Sequence, residues 1–155
     1  MPTAFDDAVR LLARRLLTRR ELSAKLEAKG YDAAAIVDAL AQVALTYRID
    51  DAAVASDRVR ARGSSRGKAR VVGELAARGV DETAAEAAWN DAVVSGAVDP
   101  AASLARAVVK RLGPPPGRAS RARLARVYNA LLSEGFPSSA VEAALAPYGL
   151  ERDDP

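Results

Sequence analysis

Residues 63–70 read GSSRGKAR, and two kinds of chemistry could be built from those residue types. Two glycines, a lysine and small residues are the ingredients of a phosphate-gripping P-loop. That loop needs four residues between its glycines, a hydroxyl after the lysine and a strand leading in, so that backbone N–H groups cradle phosphate. Here three residues separate Gly63 from Gly67, Ala69 follows Lys68, and the preceding DDAAVASDRVRAR reads as helix. Ser65 and Lys68 also satisfy the Ser-x-x-Lys spacing of a serine nucleophile with a lysine base, but in a loop containing both types that pattern is close to chance. The chain has no histidine and no cysteine, which excludes the commonest general base, thiolate metal sites and every Cys–His nucleophile. Asp32, Asp50 or Asp51, Asp81 and Asp99 stand where helices should begin, so they read as helix caps and not as metal ligands. These residues predict a protein that is not an enzyme and carries no metal or cofactor.

The elements around GSSRGKAR come from a pattern used three times. ELSAKLEAKGYDAAAIVDAL, RVVGELAARGVDETAAEAAW and RVYNALLSEGFPSSAVEAAL align with their glycines, Gly30, Gly79 and Gly135, at intervals of 49 and 56 residues. Leu22, Val71 and Val127 share one position, and Leu26, Leu75 and Leu131 the position one helical turn on. Ile36, Ala85 and Val141, then Leu40, Trp89 and Leu145, follow in register. Apolar residues four apart make one face of a helix, and a glycine at its end supplies the left-handed residue that stops it. Asp32 and Asp81 cap the next helix, whereas in the third copy Pro137 takes that place and Ser138 is the expected cap. Thr18 with Glu21 forms a capping box, and Asp99 precedes Pro100 at a first helical position. Trp89, the single tryptophan, falls on an apolar helix face and is expected in the core. Another amphipathic helix runs ahead of each pair: FDDAVRLLARRLL, DDAAVASDRVRAR and DPAASLARAVVKRL.

The expected fold is therefore all-α: three tandem three-helix, helix-turn-helix-like repeats at 1–48, 49–97 and 98–150, stacked as an elongated, curved array, with a disordered tail at 151–155. GPPPG at 113–117 cannot be helical and makes the longest connector. Half of the 155 residues are hydrophobic but only 5% aromatic. Alanine supplies much of that fraction, which favours helices and a thin core. No apolar run approaches the ~20 residues that span a bilayer, and the acidic start MPTAFDDAVR lacks the charge of a signal peptide. The expectation is a cytoplasmic, monomeric protein that does not enter membranes.

Net charge is only +3, yet it is segregated. Arg10, Arg14, Arg15, Arg19 and Arg20 fall in residues 8–20; Arg58, Arg60, Arg62, Arg66, Lys68 and Arg70 in 58–70; and Arg106, Lys110, Arg111, Arg118, Arg121, Arg123 and Arg126 in 101–133. These three stretches contain no acid and hold 18 of the 23 basic residues. Solubility alone favours interspersed signs, so a basic strip along the repeats implies an anionic partner, either nucleic-acid phosphate or an acidic protein groove. Pairs at helical spacing, Arg10 with Arg14, Arg58 with Arg62, Arg66 with Arg70 and Arg106 with Lys110, are expected to project from one side. GSSRGKAR is then a basic elbow between two helices, its glycines present for the turn.

The sequence resembles the RecX family of recombination regulators. The likeness is carried by the tandem repeats, the RRELSAKLEAKGYD run from Arg19 to Asp32, the I-D-D at 49–51 followed by R-x-R and a glycine-containing loop, Glu74-Leu75 with Arg78-Gly79-Val80, and Leu131 to Phe136. It covers residues 5 to 148. Val54 and Arg58 stand where the family commonly has aromatic residues, and GPPPG is unusual for it. The resemblance implies a non-enzymatic modulator of the RecA recombinase that lies in the groove of the RecA–DNA filament. There it would limit filament extension, ATPase, strand exchange and co-protease activity, and so modulate recombination and the SOS response. The residues expected to meet the RecA filament or DNA phosphate are Arg60, Arg62, Arg66, Lys68 and Arg70, then Arg19, Arg20, Lys25, Arg121, Arg123 and Arg126. Weak binding of single- or double-stranded DNA is a secondary expectation. The competing readings are an autonomous DNA-binding module and a helical adaptor for an unrelated acidic protein.

Overall fold

A computed structural model of the chain describes residues 1–47 and 49–151, and the following concerns those residues. Nine α-helices follow one another among them: α1 (Ala4–Leu12), α2 (Arg19–Ala28), α3 (Ala33–Thr46), α4 (Asp51–Arg62), α5 (Lys68–Ala77), α6 (Glu82–Val94), α7 (Pro100–Leu112), α8 (Arg121–Ser133) and α9 (Ser138–Leu145). The fold is all-α, as the repeating pattern predicts. No helix among the described residues is long and apolar enough to cross a membrane.

The helix ends are set locally. Gly30, Gly79 and Gly135, which follow α2, α5 and α8, have φ of 91°, 93° and 91°. The residue after each glycine returns its N–H to the helix: Tyr31 to the Leu26 carbonyl at 3.3 Å, Val80 to Leu75 at 3.0 Å, and Phe136 to Leu131 at 3.2 Å. This closure needs the left-handed conformation that glycine adopts without a Cβ penalty. Asp32 accepts from Ala35 N–H at 2.8 Å, Asp50 from Ala52 at 3.0 Å, Asp81 from Thr83 at 2.9 Å and Asp99 from Ala102 at 3.0 Å. Thr3 with Asp6 forms a second capping box, and Ser120 caps α8. One cap differs from expectation. α9 begins at Ser138 itself, and its cap position is Pro137, which makes no side-chain bond. Proline's fixed φ suits the entry to a helix, so this turn forms without a hydroxyl cap.

Two three-residue strands interrupt the helical order. β1 (Gly117–Ala119) runs parallel to β2 (Tyr148–Leu150), with Gly117 opposite Tyr148 and Ala119 opposite Leu150. The Glu151 N–H extends the pairing to the Ala119 carbonyl at 3.1 Å. The buried Tyr148 ring sends its hydroxyl to the Gly113 carbonyl at 2.7 Å. The residue after the GPPP run therefore belongs to a strand, and the expected disordered tail begins with a paired residue; 152–155 lie outside the described residues.

By packing, the chain divides into two compact units, one built from Met1–Asp57 and Glu74–Ala88, the other from Arg58–Gly73 and the described residues from Trp89 onward. α4, α5 and α6 therefore each contribute to both units. The core of the first unit joins Leu17, Leu22, Leu26, Ile36, Leu40 and Val43, with Ala4 and Ala8 closing it from α1. The core of the second joins Leu104, Val108, Val127, Leu131, Phe136, Val141 and Tyr148. Trp89 is buried, as its helix face predicts.

Candidate partner-binding surface

In the first unit the N-terminus of α2 meets the end of α5, and this contact positions the candidate Arg20. Thr18, fully buried, donates its hydroxyl to the Arg78 carbonyl at 2.6 Å and accepts from the Glu21 N–H at 3.1 Å. Glu21 accepts in return from the Thr18 N–H at 3.0 Å, and from Arg78 Nε at 2.8 Å and Nη2 at 3.1 Å. The forked guanidinium bond holds the Glu21 carboxyl below its ordinary range, against the opposing effect of burial, and raises Arg78 in turn. Arg20 donates to the Ala77 carbonyl and lies across Gly79, where a Cβ would come within 2.7 Å of its Nε. Arg20 is thus engaged within the chain. Arg19 is exposed, its backbone N–H donating to Asp51 at 3.0 Å. Lys25 is half-buried.

Elsewhere in this unit, Asp7 is buried and accepts from the Tyr31 hydroxyl at 2.9 Å, with Lys29 at 3.3 Å and Arg10 at 3.5 Å. The tyrosine bond, more than the two cations, keeps its carboxyl below the usual range. Arg14 lies beyond the end of α1 at Leu12, so it does not share a helix face with Arg10 as the spacing predicted.

In the second unit the elbow between α4 and α5 meets the end of α8. The Gly67 N–H donates to the Glu134 carbonyl at 2.8 Å. A Cβ on Gly67 would enter the backbone of Gly135 and Phe136, and one on Gly63 would come within 2.5 Å of Val98. Neither glycine has positive φ. They are present because backbone or side chain of another element passes against them, which differs from the expectation that the turn alone required them. The N–H that a P-loop would offer to phosphate is committed here to a carbonyl. Arg66 lies outside α5, so it and Arg70 do not share that helix; Arg70 packs against Gly135.

A cleft of about 160 Å³ opens beside this contact, lined by Ser64, Ser65 and Arg66 of the elbow, Ser103, Arg106, Ala107, Lys110 and Arg111 of α7, and Glu134. Glu134 accepts from Arg111 Nη2 at 2.5 Å and stands 3.9 Å from Arg66 Nη1. Arg106 donates to the Ser64 carbonyl at 3.2 Å and to Ser103 Oγ at 3.3 Å. The cleft thus collects Arg66 from the candidate set with three cations outside it. The Arg106–Lys110 spacing, and Glu134 as the first acid after the acid-free run, are the sequence signals for this grouping.

The remaining candidates are spread over the second unit. Arg60, Arg121 and Arg126 are exposed and make no side-chain hydrogen bond or ion pair among the described residues. Arg121 borders a groove between α8 and α9 with Leu124, Tyr128 and Leu145. Arg123 donates to the Arg111 carbonyl at 2.7 Å, which satisfies the end of α7. Arg62 and Lys68 are half-buried. The arrangement contains exposed guanidinium groups able to grip carboxylate or phosphate bidentately.

The chain is 40% identical over 149 residues to a protein of Chromohalobacter salexigens named Regulatory protein RecX, a match spanning 93% of this chain and 91% of the relative. The chain belongs to the RecX family. A relative of the same name from Halorhodospira halophila is 35% identical over 145 residues, covering 91% of this chain and 85% of the other. Residues 4–42 match the family model described as RecX, first three-helix domain, a span that holds α1, α2 and most of α3. Two RecX crystal structures share the fold. That from Lactobacillus salivarius superposes with a TM-score of 0.72 at 21% identity over 92% of both chains. A second, titled regulatory protein RecX, gives 0.76 at 20% identity over 91% of this chain and 69% of that one. The relatives are thus named for regulation, and the RecX resemblance seen in the sequence holds.

Proposed function

We propose that this protein is a regulator of the RecA recombinase that binds the RecA–DNA filament and restrains it. Its action would limit filament extension, ATP hydrolysis, strand exchange and co-protease activity, and would thereby modulate recombination and the SOS response. It would work in the cytoplasm, as a monomer and without a cofactor. RecX membership supports RecA as the partner, and the acid-free cationic stretches support a charge-based contact. The observation that carries the reading is the set of exposed cations, Arg60, Arg121 and Arg126 with Arg19, whose side chains make no hydrogen bond or ion pair among the described residues. Charges left without intramolecular partners steer an acidic surface into contact and add many modest interactions. Arg62, Arg66, Lys68, Arg70 and Lys25 would extend that contact, and Arg20 and Arg123 would mainly hold the elements that present it.

The test is filament growth on single-stranded DNA, followed by electron microscopy of RecA with and without the protein. Shorter filaments are expected with the protein, and filaments near control length with an Arg60→Ala/Arg121→Ala/Arg126→Ala variant. Control-length filaments with the unaltered protein would contradict the reading.

A further inference from the structure

Four cations of the second unit, Arg66, Arg106, Lys110 and Arg111, line one cleft around a single carboxylate, that of Glu134. Arg111 holds this carboxylate at 2.5 Å, while Arg66 reaches it only at 3.9 Å. Among the described residues Arg106 meets neutral oxygens alone, the Ser64 carbonyl and the Ser103 hydroxyl. Lys110 is exposed and makes no hydrogen bond or ion pair among the described residues. Like charges gathered in a recess repel one another and raise the local potential, so this cleft favours further negative charge.

Its size and lining narrow the occupant. About 160 Å³ is well below the roughly 300–1,000 Å³ of a small-molecule site, so it admits the tip of a side chain and not a nucleotide. No aromatic ring lines it, so it offers no platform for a stacked base. Glu134 shows that the cleft already seats a carboxylate between guanidinium groups, the planar pairing for which arginine is suited.

We propose that the cleft between the α4–α5 elbow and α7 receives an aspartate or glutamate side chain of a partner protein, gripped by Arg106 and Lys110 with Arg66 closing over it. This rests on the reading above, in that the partner is a protein filament, and adds which side-chain chemistry enters and where. Arg106 and Lys110 stand one turn apart on α7, the spacing at which two helical side chains reach a common group.

The experiment measures binding to RecA filaments on single-stranded DNA, and in parallel to the same DNA without RecA, for the unaltered protein, Lys110→Glu, Arg106→Ala/Lys110→Ala and Gln42→Ala. Lys110 is exposed and without a hydrogen bond or ion pair among the described residues, so Lys110→Glu should melt like the unaltered protein and tests the cleft even if the double variant is unstable. The expected result is a loss of about tenfold in filament affinity for the cleft variants, with Gln42→Ala, an exposed α3 position outside the cationic stretches, unchanged. Filament affinity equal to that of the unaltered protein in both cleft variants would overturn the cleft proposal and leave the RecA reading standing. Absence of filament binding by the unaltered protein would remove both. An equal loss on bare DNA would make the cleft a phosphate seat and overturn the carboxylate assignment.

Discussion

Glu21 acts at two contacts at once, closing the N-terminus of α2 through the Thr18 N–H and holding Arg78 at the end of α5. Glu21→Ala removes both and leaves a partly buried guanidinium without its acid. The expected loss is about 1–3 kcal/mol in denaturant unfolding. The pH dependence follows from the direction of the shift. The folded carboxyl titrates below its ordinary value of 4.5, so its contribution is fully present above that pH and disappears as pH falls through the depressed value. Asp7 is shifted the same way by Tyr31. Melting temperature should therefore stay level from pH 7 to about 5 and fall below about 4.5, and Glu21→Gln should lessen that fall. An identical acid profile in the variant would show that the Glu21–Arg78 pair does not act this way. The Thr18–Glu21 box is visible in the sequence because cap chemistry is local. Arg78 as its third member is not, since 57 residues separate the partners. Arg20 and Arg123 were likewise legible as cations but not as donors to carbonyls, because a backbone acceptor leaves no mark in the sequence.

Among the elements, the three glycine stops were readable because each repeats the same apolar spacing and the same left-handed closure. Their surroundings differ in a way only the structure gives. Nothing lies within 4 Å of a Cβ on Gly30, whereas one on Gly135 would strike the backbone of Arg70. Gly30→Ala should accordingly cost only the left-handed conformation, about 1–2 kcal/mol. Gly135→Ala should add overpacking of about 1–3 kcal/mol. Gly67→Ala, at ordinary φ, should cost about 1–3 kcal/mol from the clash alone. Chemical denaturation of the three variants checks the order, and equal costs for Gly30→Ala and Gly135→Ala would refute the close approach of the α5 start to the α8 end. β1 and β2 escaped the sequence because three residues are too few to show an alternating pattern, and Pro137 displaced Ser138 as cap because its φ is already fixed.

For the molecule as a whole, a net charge of +3 conceals the feature that matters, which is where the cations are left without acids. The sequence showed the acid-free stretches but could not show which cations the fold consumes. Arg20, Arg111 and Arg123 are bonded internally, while Arg60, Arg121, Arg126 and Lys110 make no such bond among the described residues. Contacts made by such exposed charges weaken as salt screens them, so any effect on RecA should diminish between low and high ionic strength. If the cations carry the proposed regulation of RecA, removing them must change what the protein does to RecA's own activity. The most direct measurement is RecA ATP hydrolysis on single-stranded DNA, titrated with the protein and with an Arg66→Ala/Lys68→Ala/Arg70→Ala variant. The unaltered protein is expected to suppress hydrolysis at micromolar concentration or below, and the variant to need several times more. Unchanged hydrolysis, or equal suppression by both proteins, would contradict it.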